Sequence, residues 1–158
     1  MKRQRRKVGD IVAVALGDGT TAYGHVLFEP LMAFYSLTSV GDAPPSIDEV
    51  TASPVLFRIC VMSNAVKSGL WPVVGNKEPL PEVAAHPKFF MQDSLSGALS
   101  ITTDGSDEVP ASFADCERLE CAAVWDPEHV VERISDELAG RPNKWVKLMR
   151  PQPVATAR

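Results

Sequence analysis

Two glycines flanking an aspartate constrain this chain more than any other feature. Gly17-Asp18-Gly19 separates two apolar runs near the start of the sequence. Glycine reaches positive backbone angles at no steric cost and aspartate tolerates them, so the triplet predicts a tight reversal. Residues 11–16 (Ile-Val-Ala-Val-Ala-Leu) are strand-favouring, and residues 23–28 return as a second strand. The pair predicts a β-hairpin. Gly24 inside the return strand predicts a bulge or a close backbone approach.

The remaining signals are mostly those of short strands. Thirteen prolines are spread along the 158 residues, which argues against long helices. Further strands are expected at residues 32–37, 55–62, 72–74, 88–91, 99–102 and 119–125. Ser46, with Glu49 three residues on, predicts a short capped helix. One longer helix is well specified: Asp126 caps it, Pro127 fits its first turn, Glu128 suits the helix dipole, and Gly140 followed by Pro142 stops it. Val130, Val131, Ile134 and Leu138 form its apolar face, with Glu132, Arg133, Asp136 and Glu137 outside it. Residues 145–149 read as a last strand or extended segment.

The expected fold is therefore α+β, mostly β: a strongly bent antiparallel sheet or SH3-like barrel. The hairpin is expected at its edge, with the C-terminal helix packed on it. Residues 1–150 are expected to form a single globular domain, and residues 151–158 a flexible tail. A polar lead-in, a hydrophobic strand, an Asp-Gly turn and a glycine-containing return strand open many small SH3-like barrels. That points to a compact binding domain rather than an enzyme.

Catalytic chemistry finds little support. The chain has three histidines, His25, His86 and His129, and no Gly-x-Ser-x-Gly elbow, phosphate loop, dinucleotide fingerprint or His-Glu-x-x-His pair. No catalytic residue, metal site or cofactor is expected. Cys60, Cys116 and Cys121 lack zinc-ligand spacing and read as buried reduced thiols. Tyr23 and His25, two apart on the return strand, are candidates for exposed strand contacts, although a hydrogen-bonded structural histidine is the commoner role. No apolar stretch approaches the roughly 20 residues of a membrane span, and the run at 11–16 is too short for a signal-peptide core. A cytoplasmic protein with no membrane partner is expected.

Charge is unevenly distributed. The formal net charge is −4, yet residues 104–137 carry eleven acidic side chains against Arg118 and Arg133. An acidic surface steers a basic partner and fixes its register. The candidate binding residues on this basis are Asp104, Asp107, Glu108, Asp115, Glu117 and Glu120; the alternative is a solvated helix face with polar loops. Residues 1–7 carry five basic side chains and no acidic one. Such a segment can neutralise phosphates, but a frayed solubilising terminus is more common, and nucleic acid is not expected as a partner.

Several segments resemble, in order, the immunity protein 26 family of bacterial polymorphic toxin systems. They are Lys7-Val-Gly-Asp-Ile-Val-Ala-Val-Ala-Leu-Gly-Asp-Gly19, Tyr23-Gly-His-Val-Leu27, Phe57-Arg-Ile-Cys-Val61, Trp71-Pro-Val-Val-Gly75 and His86-Pro-Lys-Phe-Phe90. The similarity runs over roughly residues 7–149. Val12 stands where the family commonly has an aromatic, and Ala15 where proline is common. The resemblance implies a cytoplasmic protein that binds and neutralises a cognate protein toxin domain without catalysis or cofactor. It supplies no site residues, so the toxin-binding candidates remain the six acidic residues of the charge map. A toxin with a basic, nucleic-acid-handling active site, such as a nuclease, would fit them. The competing reading is an SH3-like nucleic-acid-associated binding module.

Overall fold

The computed structural model describes residues 1–103 and 107–154. The hairpin forms where the Gly-Asp-Gly triplet places it. β1 (Asp10–Ala15) and β2 (Thr20–Phe28) run antiparallel, with Ile11 opposite His25 and Ala15 opposite Thr21. Gly17 and Gly19 take φ of 87° and 86°. The Asp18 carboxylate accepts from the Thr20 N–H at 2.9 Å, closing the turn as an aspartate can. The fold is α+β, with more strand than helix. The chain gathers into two compact units, Met1–Ala85 with Val124–Asn143, and His86–Ala123 with the chain from Lys144.

The first unit holds a seven-stranded sheet. Its other strands are β3 (Leu31–Tyr35), β4 (Ser39–Val40), β5 (Val55–Val61), β6 (Val73–Asn76) and β11 (Val124–Trp125). They lie in the order β11-β5-β3-β2-β1-β6, with β4 on β2 off this path. All pairings are antiparallel except β11 on β5. The hairpin is thus in the interior of the sheet, not at the edge where the sequence reading put it. The reason lies in β1 itself: Ile11, Val12 and Val14 have no exposed surface, and adjacent strand residues point to opposite faces, so both faces are covered.

Val12, Gly24, Phe34 and Phe57 stand directly opposite one another across four strands. The Phe34 ring lies 5.3 Å from Phe57 and meets Trp71 edge-on at 5.7 Å. A β-carbon on Gly24 would come within 2.9 Å of that ring. Close approach is therefore why glycine stands here, and the bulge on β2 falls later, between Val26 and Phe28. On the opposite face, Ile11, Tyr23 and Tyr35 cluster with Val50 and Ile47 of α1 (Ile47–Ala52). Ser46 and Glu49 cap α1 reciprocally, as expected.

α5 (Pro127–Ala139) starts on Asp126 and ends on Gly140 at φ 68°, in agreement with its caps. Its inward stripe differs from the expected one. Val130 and Ile134 are fully buried, but Leu138 is 40% exposed, and Arg133 is buried instead. The Arg133 guanidinium lies 4.1 Å from the centre of the Phe57 ring and 5.1 Å from that of Trp125. Stacking on two aromatic faces lets a cation occupy a position that its charge would assign to solvent.

Residues 1–7 are not frayed. Gln4 donates from its side chain to the carbonyls of Val66 and Trp71 at 2.9 and 2.6 Å, and its amide oxygen accepts from the Val73 N–H at 3.1 Å. The Arg6 side chain, with no exposed surface, pairs with Glu29 at 3.1 Å and donates to the Pro30 and Val61 carbonyls. α2 (Asn64–Lys67) lies beneath, its Lys67 carbonyl accepting from the Gln4 N–H at 3.1 Å. α3 (Pro81–Ala84) is held by Arg58, which donates to the Val83 and Ala85 carbonyls.

The second unit contains β7 (Phe89–Gln92), β8 (Leu99–Thr102), β9 (Glu108–Pro110), β10 (Glu120–Cys121), α4 (Phe113–Cys116) and α6 (Lys144–Leu148). Its sheet runs β10-β7-β8-β9, with β10 parallel to β7. The stretch 119–125 is therefore not one strand: β10 belongs to this sheet and β11 to the other. Nor is 145–149 extended. Trp145, Leu148 and Met149 have the i, i+3, i+4 spacing of a helix face, and the Met149 N–H donates to the Trp145 carbonyl. Phe90, Leu99 and Cys116 are the buried centre of this unit.

Candidate functional site

The hairpin candidates prove structural. Tyr23 is 3% and His25 is 1% exposed, so neither offers an exposed contact, because α1 covers the face on which Tyr23 lies. The Tyr23 hydroxyl bonds Ser39 Oγ at 2.7 Å. His25 Nε2 is 2.8 Å from the Lys77 carbonyl, and Nδ1 is 2.8 Å from the Tyr35 hydroxyl. A carbonyl only accepts, so Nε2 carries the proton and Nδ1 accepts from Tyr35. Burial pushes the His25 imidazole below its ordinary pKa and the Tyr35 phenol above its own. Both rings are neutral parts of the core near neutral pH.

The acidic candidates divide between two faces of the second sheet. Register places Cys121, Phe90, Ile101 and Val109 in one row. Glu120, Phe89, Thr102 and Glu108 form the next row, and cross-strand partners share a face. Val109 is 60% exposed. On its side, Asp107 and Asp115 line one hollow together with Lys88, above a floor of Ile101, Val109 and Leu119. Glu108 faces the other way, accepting from the Ser100 hydroxyl at 2.6 Å and lining a separate hollow with Met91. Glu120 shares its row. Glu117 follows α4 and is exposed. Asp104 lies outside the described residues.

Asp115 has a second role. It is the third residue of α4, and its carboxylate accepts from Ser112 Oγ and the Ser112 N–H at 2.8 and 3.2 Å while Ser112 Oγ accepts from the Asp115 N–H. The Ser112 hydroxyl, then its N–H, hold the Asp115 carboxyl below its usual pKa. The Ser112-x-x-Asp115 spacing is a helix-start signal that the sequence reading passed over. It also missed the apolar floor, because Ile101, Val109 and Leu119 come together only through strand register.

Two carboxylates beside exposed Val109 and half-buried Ile101 and Leu119 suit a basic protein surface, whose lysines and arginines present an apolar stem and a charged tip. Among the described residues, no group of three or more His, Cys, Asp and Glu side chains is arranged to hold a metal. Burial raises the pKa of all three thiols. Among the described residues no helix is long and apolar enough to cross a membrane.

A family model described as immunity protein 26 matches residues 7–99 of the chain. No curated protein and no solved structure matches it. The matched stretch ends at the first residue of β8, ahead of Asp107 and Asp115, and includes Lys88 of the hollow's lining.

Proposed function

We propose that this chain, which belongs to the immunity protein 26 family, binds a cognate polymorphic-toxin domain in the cytoplasm and neutralises it by stoichiometric association. Neutralisation here is occlusion, with no covalent step and no cofactor. The observation that supports a protein-binding role is the hollow under Asp107 and Asp115. Asp107, Asp115 and Lys88 line it together with exposed Val109 and half-buried Ile101 and Leu119, which is the pattern of an interface with an apolar centre and a polar rim. A basic toxin surface, as on a nuclease that grips phosphates, complements it. Glu117 extends the same charge on the neighbouring turn, while Glu108 and Glu120 add long-range field from the other face.

Co-expression with the toxin encoded beside it tests the reading. Protection should need equimolar protein, and the two should elute together. Asp107→Lys should slow association several-fold at low salt and much less at 0.5 M, because the Debye length shrinks from about 10 Å at 0.1 M to a few ångströms. Protection without any complex would overturn the binding mechanism. Unchanged association of Asp107→Lys at low salt would remove the hollow from the interface.

A further inference from the structure

Residues 3–7 alternate in burial: Gln4 and Arg6 are partly buried, while Arg3, Arg5 and Lys7 are exposed. Alternation of this kind is the geometry of an extended chain, in which every second residue points the same way at intervals of roughly 6.6 Å. The inward residues hold the segment down through the bonds of Gln4 and Arg6 described above. The main chain is also seated, since the Lys2 carbonyl lies directly against Gly69, where any β-carbon would collide. Lys67, at the end of α2, lines the same hollow as Arg3, Arg5 and Lys7. The anchoring uses Gln4 and Arg6 and leaves the other cations free of hydrogen bonds and ion pairs to the described residues. The nearby carboxylate of Glu29 is already taken by Arg6.

We propose that Arg3, Arg5, Lys7 and Lys67 form a pre-arranged cationic strip that binds the phosphodiester backbone of nucleic acid without reading its sequence. Three features favour phosphates over an acidic protein surface. The hollow is lined only by Arg3, Gln4, Arg5, Arg6, Lys7 and Lys67, so it lacks the aromatic and apolar anchors that carry protein interfaces. It equally lacks a ring on which a base could stack, which leaves the backbone as the part recognised. Finally, Arg3, Arg5 and Lys7 are exposed at every second position, a regular repeat of charge that matches a polyanion better than it matches a scattered acidic surface. Because the strip is held before binding, little chain entropy is lost on contact. The acidic residues elsewhere oppose this only weakly, since exposed charges beyond about 10 Å are screened at 0.1 M salt.

The test is fluorescence anisotropy of a labelled 20-base-pair DNA duplex, titrated with the full chain from 50 to 200 mM salt. Four phosphate contacts give a slope of log K against log salt of about −3.6, a loss of roughly a hundredfold over that range. The triple variant Arg3→Ala, Arg5→Ala, Lys7→Ala should bring the slope to about −1 with an unchanged melting midpoint, because Gln4 and Arg6 are kept. Lys67→Ala, on a different element, should reduce it by about one. A parallel titration with labelled poly-glutamate separates the two kinds of polyanion. Absence of duplex binding at 50 mM overturns the proposal, as does a slope unaltered in the triple variant. Binding of poly-glutamate but not of duplex also overturns it, and assigns the strip to an acidic polypeptide.

Discussion

Gly24→Ala adds one methyl group at a closely packed point of the first sheet, and the structure says how much that should cost. Gly24 is not among the glycines with positive φ, so alanine meets no backbone strain. By restricting the unfolded chain it should even stabilise by about 0.4–1 kcal/mol. Against this, the new carbon would sit 2.9 Å from Phe34 Cε1 and 3.2 Å from Val12 Cγ2. Phe34 cannot swing aside, because it is fully buried between Phe57 and Trp71. Overpacking of a closed core costs about 1–3 kcal/mol, and the net expectation is a loss of about 1–2 kcal/mol. For a chain of 158 residues that lowers the melting midpoint by about 2–8 °C. Thermal and urea unfolding measure it. A cycle with Phe34→Leu isolates the contact: in that background much of the cost of Gly24→Ala should vanish, a coupling of about 1 kcal/mol. An unchanged or raised midpoint for Gly24→Ala, or the same cost with and without the ring, would refute the packing explanation of this glycine.

Ile134→Ala should destabilise by about 2–5 kcal/mol through the cavity it leaves, and Leu138→Ala by about 1 kcal/mol or less, since Ile134 is fully buried and Leu138 40% exposed; equal midpoint shifts would show that the helix stripe has been assigned wrongly. Burial depresses the His25 pKa, so its contribution is fully present above the unfolded value of about 6.5 and is lost as pH falls below that, with a slope of at most about 1.4 kcal/mol per pH unit. Urea unfolding at pH 7.5 and 5.5 should show that loss, and His25→Gln should flatten it. The carboxylates with depressed pKa, Asp18, Asp48, Asp93 and Asp115, act only at lower pH, below about 4.

Features set by neighbouring residues were legible in the sequence. The Gly17-Asp18-Gly19 turn, the Ser46 capping box and both ends of α5 are determined within a few positions, and each stands where the sequence puts it. What depends on distant partners was not legible. Arg133 is buried because Phe57 and Trp125, far off in sequence, offer it two aromatic faces. Tyr23 and His25 lie on a strand of the expected kind, but whether its second face meets solvent is decided by α1, more than twenty residues later. The division of 119–125 between two sheets leaves no local trace, since both halves are equally strand-like. The acidic stretch was visible as charge, yet only the folded chain brings Asp107 and Asp115 to one hollow, and only the β8–β9 register turns Glu108 to the other face.

The pairing of β11 with β5 carries a consequence for synthesis. Residues 86–123 lie between the two stretches that build the first unit. On the ribosome, the sheet made by residues 10–76 must wait for its last strand and for α5 while those 38 residues are added, about 2–8 s at ordinary elongation rates of roughly 5–20 residues per second. Throughout that interval Phe57 lacks the Arg133 guanidinium that stacks on it, and the β5 edge lacks β11. The nascent chain is then sticky in a way the finished protein is not, and a fragment cut at residue 99 would keep that exposed edge permanently.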